Sequence, residues 1–338
     1  MKNEHTNTCD VLVSIVNYRT AERTINCVQS LLHHTQENHR IRIVITDNQS
    51  EENDVNVLRA FVSMQEYDPY CTLYEHDHNA GFAGGHHAGI ESMMHIGFQP
   101  RYLWILNSDT TMLNDCIDEL VRYMDAHESV GLASPQLYND DGTPHQTAEY
   151  FPTLMYKIFG RGMVRVQGIL RGKHIPPLAD EYTVPTHVQV VSGAAMFLRT
   201  AAYHTIHGLD TRYFLYCEEE DCALSLHTAG YSVVVVPSAK ICHTGSASTD
   251  TRALSIRKEY YISLFLLYRK WFPSWHEIVL RRFLSAKIAR KYRTDAVAPM
   301  IAEFVRNGAN PTESLRYSSK AKPPSLLHTD KKTPHDSL

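Results

Sequence analysis

The segment that decides the fold class is Val11-Leu-Val-Ser-Ile-Val16, which runs directly into the polar sequence Asn17-Tyr-Arg-Thr20. An almost continuous apolar run rich in β-branched residues is typical of a parallel strand that is buried on both faces. Two similar runs, 41–46 and 102–106, follow it, with amphipathic helical patterns between them. Strands that alternate with helices predict an α/β fold with a mostly parallel central sheet flanked by helices.

Each of these runs ends at a polar cluster, and open α/β sheets bind ligands at the carboxyl ends of their strands. Asp47 follows the second run, and it can either accept the N3–H of a uracil or thymine ring or form an ordinary Asx turn. Asp109 follows the third run. It can either hold a divalent cation beside a diphosphate or cap a helix predicted over 112–123. The residues alone leave both alternatives open.

Four consecutive acids, Glu218-Glu-Glu-Asp221, follow the aromatic segment Tyr213-Phe-Leu-Tyr216. A positioned carboxylate is a suitable base for an acceptor hydroxyl that loses its proton as it attacks. The acids are equally suited to the first turn of a helix ending near Ala229, because negative charge stabilises helix N-termini. Both interpretations of the acidic run stay open.

The turn Gly81-Phe-Ala-Gly-Gly85 precedes a helical pattern, but it has neither the dinucleotide-binding spacing nor a P-loop lysine. The segment 151–182 contains several glycines and prolines, and we expect a long loop or a helical excursion over the site. His243 ends a strand-like stretch after Pro237. The chain has 20 histidines, so this position alone does not identify a metal ligand.

Composition excludes several classes of protein. A net charge of −4 gives no global reason for nucleic-acid binding. Seven scattered cysteines without a C-x-x-C pair argue against a disulfide framework or a zinc knuckle and favour a reducing compartment. The polar N-terminus has no signal-peptide pattern, and the apolar runs are shorter than the ~20 residues that span a bilayer. We therefore expect a cytoplasmic protein, soluble or peripheral on the inner face of the membrane.

Taken together, these segments resemble the family-2 glycosyltransferases of the GT-A fold, in particular the bacterial rhamnosyltransferase-like branch. The matching pieces occur in the family's order at 13–18, 47–50, 79–85, 106–109, 191–194, 208–221, 229–231 and 237–243. The resemblance implies a catalytic domain over 1–250, with a nucleotide-sugar half at about 10–130 and an acceptor and base half at 131–250. A helical basic and aromatic extension follows at 251–316, and residues 317–338 are expected to be disordered.

The resemblance also assigns roles to single residues. Nucleotide-sugar binding would fall to Tyr18, Asp47, Asn79, Gly81, His87, Ser108 and Asp109. The metal ligands would be Asp109 and His243, holding Mg²⁺ or Mn²⁺ at the diphosphate, with no organic cofactor. The catalytic acids would be Glu218, Glu219 and Asp221, with the base either Glu218 or Glu219. This chain departs from the family in its Ser108, where proline is common, in His86-His87, where asparagines are frequent, and in Glu219, where the family usually has Asp.

The implied function is inverting, metal-dependent transfer of a sugar, with rhamnose a candidate, from a UDP- or dTDP-sugar to a hydroxyl of a glycan or lipid-linked glycan. One carboxylate base without an enzyme nucleophile implies a single displacement at the anomeric carbon. The alternative is a catalytically silent nucleotide-sugar-binding subunit of a glycan-assembly complex. A nucleotidyltransferase fits less well, because residues 17–20 are not a basic glycine-rich loop.

Residues 252–293 contain eleven Lys or Arg and two Glu, interleaved with aromatic residues. Such a composition suits the headgroup region of an anionic membrane, at ~1 kcal/mol per cation near the surface. Alternatively, the aromatic residues pack on the catalytic domain while the cations form a solvated face. Nucleic acid is a poorer fit, since no base-reading motif accompanies the charge.

Overall fold

The computed structural model describes residues 9–36, 39–170, 178–245, 253–291, 295 and 297–317. Arg252, Arg293 and all of the predicted tail except Tyr317 lie outside these ranges. The strands are β1 Val11–Asn17, β2 Ile41–Asp47, β3 Cys71–Glu75, β4 Tyr102–Asn107, β5 Thr110–Met112, β6 Val130–Tyr138, β7 Ala148–Glu149, β8 Thr186–Val188, β9 Val190–Val191, β10 Ala195–Arg199 and β11 Ser232–His243. The helices are α1 Ala21–His34, α2 Glu52–Val62, α3 Gly81–His95, α4 Cys116–Ala126, α5 Leu154–Phe159, α6 Arg161–Leu170, α7 Thr200–Thr205, α8 Glu218–Thr228, α9 Leu254–Trp271, α10 Ser274–Lys291 and α11 Ala298–Arg306.

The central sheet has the strand order β3-β2-β1-β4-β10-β6-β11-β5, with β8 paired to β11. Its first four strands are all parallel, as the alternation of strands and helices predicts. The second half is mixed, because β10 runs antiparallel to both β4 and β6, while β11 is again parallel to β6. The result is an α/β sheet flanked by helices, whose parallel half presents β1, β2 and β4 carboxyl ends at one edge.

Apolar residues on the two faces of the sheet form two hydrophobic clusters. Val11, Val13 and Ile15 belong to one cluster and Leu12 to the other, because successive side chains of a strand point to opposite faces. All four side chains are fully buried, which confirms that β1 is covered on both faces. The first cluster also contains α1 and α4 residues, whereas the second contains residues of α3, α8 and α9.

The strand β6 was not predicted, because Ser134, Pro135 and Gln136 interrupt its apolar pattern. The buried side chain of Gln136 is stabilised by specific hydrogen bonds. Gln136 Nε2 donates to Thr147 Oγ1 at 3.0 Å, and Gln136 Oε1 accepts from the Tyr182 backbone nitrogen at 3.0 Å. A polar strand can therefore occupy the middle of the sheet at little cost.

The helix α9 is built into the core beside α8. Leu264, Phe265 and Tyr268 are almost completely buried, and Tyr268 donates to the Pro152 carbonyl at 2.7 Å. Aromatic residues of the basic extension such as Phe265 and Tyr268 thus pack in the core of the catalytic domain. Within the described ranges, no helix is both long enough and apolar enough to cross a bilayer.

Candidate functional site

A hydrogen-bond network centred on Asn17 joins the carboxyl ends of β1 and β2. Asn17 Nδ2 donates to Asp47 Oδ1 and to Asp54 Oδ2, each at 2.8 Å, and Asn17 Oδ1 accepts from Thr24 Oγ1 at 2.8 Å. Asp47 Oδ2 accepts from the Ser50 backbone nitrogen at 2.9 Å, so Asp47 does form the Asx turn. Each carboxylate oxygen has a second lone pair, and the turn therefore does not exclude a contact with a base.

Two further predicted nucleotide residues, Tyr18 and Ser108, lie close to this network. Tyr18 follows Asn17 and is half-buried, with the Arg19 guanidinium carbon 5.1 Å from its ring centroid. Ser108, after β4, has its Oγ 3.4 Å from Thr20 Oγ1, which brings the end of β4 to the end of β1. Asn17 itself was not singled out from the sequence. The position of Asn17 directly after a buried strand could have indicated its role, because a buried amide needs several hydrogen-bond partners.

Gly81–Gly85 do not form the predicted turn before a helix, because α3 already begins at Gly81. The start of α3 is attached to the segment that leads into the acidic run. Asn79 Oδ1 accepts from the Gly81 backbone nitrogen at 2.9 Å, and the Phe82 nitrogen donates to the Phe214 carbonyl at 2.7 Å. Gly81 has φ of +75°, and a Cβ there would lie 2.1 Å from the Phe214 oxygen. Only glycine permits this approach. The absence of a side chain at Gly81 therefore allows the start of α3 to pack closely against the segment that precedes the acidic run.

The two adjacent histidines of α3, His86 and His87, have different environments. His86 is fully buried, with Nδ1 2.9 Å from Ser14 Oγ and its ring against Phe82. Burial lowers the pKa of His86 to about 3. It is therefore a neutral residue of the core. His87 is half-buried, and its Nδ1 has no hydrogen-bond partner among the described residues.

Asp109 and His243 meet at the ends of β4 and β11. His243 Nε2 lies 3.3 Å from Asp109 Oδ1, and the two side chains are 12% and 8% exposed. Neighbouring ligands on an octahedral ion with bonds of about 2.1 Å are separated by about 3 Å. Asn107 Nδ2 lies 3.3 Å from the same His243 nitrogen. The donor atoms thus fit the Mg²⁺ or Mn²⁺ site that the resemblance implies.

The helix-cap alternative for Asp109 is wrong. The following helix, α4, begins at Cys116, and its cap is Asp115, whose Oδ1 accepts from the Asp118 backbone nitrogen at 3.1 Å. Asp109 is separated from that helix by the short strand β5, which pairs with β11. The antiparallel pairing of β5 with β11 brings Asp109 next to His243.

A second histidine, His145, was not predicted and lies beside the pair of Asp109 and His243. The centroids of the His145 and His243 rings are 5.3 Å apart in an edge-to-face arrangement. Burial and the neighbouring His243 lower the pKa of His145, while Asp109 opposes this. In the described ranges, three possible ligand atoms lie within 4.8 Å of one another at His76, Asp77 and His78. That group is hydrogen-bonded within itself, with His78 Nδ1 2.6 Å from Asp77 Oδ1.

The acidic run begins α8, and the backbone before it is strained. Tyr216 and Cys217 have φ of +71° and +67°, a left-handed conformation that costs about 1–3 kcal/mol per non-glycine residue. This turn directs Glu218 and Glu219 inward. Glu218 is only 6% exposed, and no partner for the Oε2 atoms of Glu218, Glu219 and Glu220 occurs in the described part of the chain. The acids therefore form the first turn of a helix, with Glu218 and Asp221 buried and Glu219 and Glu220 partly buried.

Burial dominates the ionisation of these acids. It raises the pKa of Glu218 to about 8, and burial together with the adjacent carboxylates raises the pKa of Glu219 well above its usual value. Lys157 of α5 lies near the same cluster, and its Nζ is 3.4 Å from Tyr260 Oη. Burial opposes the charged form of Lys157, but Tyr260 and Glu220 raise its pKa above the usual value. The described residues of the segment 151–182 thus include the helices α5 and α6, and Lys157 of α5 lies near the acids.

Asp221 differs from the acids before it, because its carboxylate is fully engaged. Its Oδ1 accepts from Trp271 Nε1 at 2.7 Å and from Tyr213 Oη at 3.2 Å. Its Oδ2 pairs with Lys270 Nζ at 2.8 Å. Trp271 and Lys270 belong to the last turn of α9, so Asp221 joins α8 to α9.

The loop before β10 connects the acids with the metal pair. The ideal Cβ position of Gly193 is 3.9 Å from Glu218 Oε1 and 3.8 Å from Glu219 Cβ. The next residue, Ala194, accepts from the Asn107 backbone nitrogen at 2.9 Å. Asn107 in turn contacts His243. The predicted metal ligands and the predicted bases therefore border one continuous site.

Comparisons with known proteins agree with this geometry. Residues 11–203 match the family model of glycosyl transferase family 2. The N-acetylglucosaminyl-diphospho-decaprenol L-rhamnosyltransferase of Mycobacterium tuberculosis is 27% identical over 192 residues, which are 55% of this chain. The match covers 61% of that relative's length, less than two thirds.

Two solved structures share the architecture. GalNAc-T7 with UDP, GalNAc and Mn²⁺ has a TM-score of 0.58 at 12% identity, over 94% of this chain and 58% of that one. The mannosyltransferase PcManGT from Pyrobaculum calidifontis, in complex with GDP-Man and Mn²⁺, has a TM-score of 0.51 at 13% identity, over 92% of this chain and 82% of that one. At these identities the likeness concerns the fold, and it confirms the predicted GT-A fold.

Proposed function

Because this chain belongs to glycosyl transferase family 2, we propose that it transfers a sugar from a nucleoside-diphosphate donor to a hydroxyl of a glycan or lipid-linked glycan. The observation that carries the proposal is the short path between the two groups of residues. A Cβ at Gly193 would lie 3.9 Å from Glu218 Oε1, and the next residue, Ala194, accepts a hydrogen bond from the backbone of Asn107 beside His243. A leaving-group site and a base are thus separated by only a short loop.

The donor we propose is a UDP- or dTDP-sugar. Support comes from Asp47, whose carboxylate retains lone pairs for the N3–H of uracil or thymine, and from the half-buried Tyr18 ring nearby. Asn79, Gly81, His87 and Ser108 would complete the binding of the nucleotide sugar. Rhamnose is the first sugar to test, since the mycobacterial relative is named an L-rhamnosyltransferase.

Asp109 and His243 would hold a divalent cation, Mg²⁺ or Mn²⁺. When bound, such an ion neutralises charge that develops on the departing diphosphate. The two side chains are largely buried, which strengthens their electrostatic interaction with a ligand. Both solved neighbours are complexes with Mn²⁺, which supports the choice of ion.

The acceptor hydroxyl would be deprotonated by Glu218 or Glu219. Its oxygen forms a bond to the anomeric carbon as the bond from that carbon to the diphosphate oxygen breaks, and the proton passes to the carboxylate. One displacement inverts the anomeric configuration. A base with a pKa raised toward neutrality is a stronger proton acceptor than an exposed glutamate, provided that it is ionised.

The test is a panel of UDP- and dTDP-sugars, supplied with Mg²⁺ or Mn²⁺ and with saccharide and lipid-linked saccharide acceptors. We expect release of UDP or dTDP with one donor, and a product whose anomeric configuration, measured by NMR, is opposite to that of the donor. If the nucleotide binds but no donor is turned over with any acceptor, the chain is a silent nucleotide-sugar-binding subunit. A product that retains the donor configuration would contradict the single displacement.

We also propose that the exposed face of α10 docks on an anionic membrane. Several cations of the extension are paired with acids, as in Arg257–Asp295, Lys258–Glu313, Arg269–Glu277 and Lys270–Asp221. By contrast, Trp275 and Ile278 are 57% and 48% exposed. They share one helical face with the exposed Arg282. Apolar and cationic groups on one face suit an anionic headgroup layer, which would bring the enzyme to a lipid-linked acceptor.

A further inference from the structure

The turn between β6 and β7 is held firmly against the end of β11. The backbone nitrogen of His145 donates to the Leu137 carbonyl at 2.9 Å, which closes the turn over 137–145. At its tip, Asp140 Oδ1 accepts from Thr244 Oγ1 at 3.1 Å and from Cys242 Sγ at 3.2 Å. These two partners flank His243 in the chain. The turn is therefore fixed on both sides of a predicted metal ligand.

The same turn brings the His145 ring to the metal pair. Its centroid is 5.3 Å from that of His243, with the ring planes at 81°. Nδ1 of His145 lies 3.2 Å from the Gln146 carbonyl oxygen, to which only a protonated nitrogen can donate. In this rotamer the bond favours the tautomer with its proton on Nδ1, which leaves the Nε2 lone pair for a ligand.

We propose that His145 is a third protein ligand of the divalent cation bound by Asp109 and His243. The inference rests on the proposed function. In the described structure the ligand atoms of Asp109, His145 and His243 do not all lie within 4.8 Å of one another. Binding of the ion therefore requires a rotation of the His145 side chain, which gives up its contact with the Gln146 carbonyl. Rotamer changes of this kind commonly accompany binding.

Two imidazoles and one carboxylate leave three positions of an octahedral ion for diphosphate oxygens and water. This ligand set also makes a prediction about the metal. Imidazole favours transition-metal ions, whereas Mg²⁺ prefers oxygen ligands and keeps several waters. A site with two histidines is therefore expected to prefer Mn²⁺ to Mg²⁺.

The experiment measures Mn²⁺ binding to the full chain by electron paramagnetic resonance, with and without UDP. We expect His145→Ala to weaken Mn²⁺ binding by about tenfold or more, comparable to the loss of other groups that support a metal site. Mg²⁺ binding, measured by competition, should change less. Electron spin echo modulation from ¹⁴N should report two imidazoles in the parent protein and one in His145→Ala.

The matched control is His127→Ala. The Nδ1 of His127 also lies close to a backbone carbonyl, 2.8 Å from that of Tyr123, but this residue follows α4 and stacks on Tyr123. It should leave Mn²⁺ binding unchanged. His145→Gln provides a second variant, with circular dichroism to verify folding, because it keeps a neutral polar side chain in the turn.

The outcomes separate the two proposals. If Asp109→Asn and His243→Ala lose Mn²⁺ but both His145 variants keep the parent affinity and ¹⁴N signal, the inference is overturned and the metal site of the proposed function stands. If no variant changes Mn²⁺ binding, the proposed metal site fails as well. Mn²⁺ bound through two imidazoles in a protein without transfer activity would support the ligand assignment and contradict the proposed function.

Discussion

Trp271 Nε1 donates a hydrogen bond to Asp221 Oδ1 at 2.7 Å and so joins the last turn of α9 to the first turn of α8. The neighbouring Lys270 pairs with the other oxygen of the same carboxylate at 2.8 Å. Four consecutive acids thus divide into two roles. Asp221 fixes the packing of a C-terminal helix, whereas Glu218 and Glu219 each keep an oxygen without a partner in the described residues.

Asp221→Asn is expected to lower the free energy of unfolding by about 1.5–3 kcal/mol, the usual range for a hydrogen bond to a charged group, since Lys270 loses Asp221 but retains Asp210. Urea denaturation measures this change. The kcat of the folded variant should change little. Glu313→Gln, which removes the exposed partner of Lys258, is the control and should cost less than about 1 kcal/mol. Unchanged stability with a hundredfold loss of kcat would instead make Asp221 catalytic.

Asp109→Asn should reduce kcat/KM by about a hundredfold or more, the usual effect of losing one group that stabilises transition-state charge. Excess chelator should abolish transfer by the parent protein, and added Mg²⁺ or Mn²⁺ should restore it. Circular dichroism should show an unchanged fold. Asp115→Asn is the matched control, since this residue caps α4 and should affect activity little. Full activity in excess chelator would exclude a metal-dependent step.

Glu219→Gln, or failing that Glu218→Gln, should lower kcat by roughly a hundredfold, as expected for a lost general base. Donor binding, measured by calorimetry with the nucleotide, should change little because the base meets the acceptor. Glu220→Gln is the control, because its carboxylate interacts with Lys157. If both of the first two variants keep near-normal kcat, neither glutamate is the base.

Glu218 also predicts a pH dependence of stability. Burial raises its pKa from 4.5 to about 8, so the folded state binds this proton more tightly than the unfolded state. Its contribution to the free energy of unfolding is therefore complete below about pH 4.5 and is lost as the pH rises toward 8. Denaturation at pH 5 and pH 8 should show that Glu218→Gln gains stability relative to the parent only at pH 8. The exposed Glu128→Gln should show no such difference, and an equal effect of Glu218→Gln at both pH values would refute the prediction.

The α10 face predicts binding to vesicles that contain anionic lipid, with release as salt increases. Replacing both Trp275 and Ile278 by Ser should reduce flotation at low salt at least tenfold. Burial of each apolar side chain in the membrane would otherwise contribute about 1.5–3 kcal/mol to the free energy of binding. Val57→Ser, on the exposed side of α2, serves as the control. The proposal fails if the parent protein does not float with anionic vesicles at low salt, or if the double variant floats equally well.

The sequence by itself determined the parallel half of the sheet. The run 11–16 is so rich in β-branched apolar residues that burial on both faces is its most favourable state, and Asn17, Asp47 and Asn107 then end neighbouring strands at one edge. The order of motifs was enough to indicate the family. The sequence pattern did not predict the strand β6. Its buried polar residue Gln136 depends on hydrogen bonds to Thr147 and Tyr182, which a local pattern does not show.

Only the tertiary structure decided the roles of individual polar residues. Asp221 and Glu218 lie in one acidic run, yet α9 satisfies one carboxylate and leaves the other buried with an oxygen unpaired in the described chain. His86 became a core residue, and His145 reached His243, through contacts between segments far apart in sequence. Secondary-structure propensity and the period of apolar residues are set by a few neighbouring residues. The burial of a polar side chain, its pKa and the geometry of possible ligands depend instead on which distant segments the fold brings together.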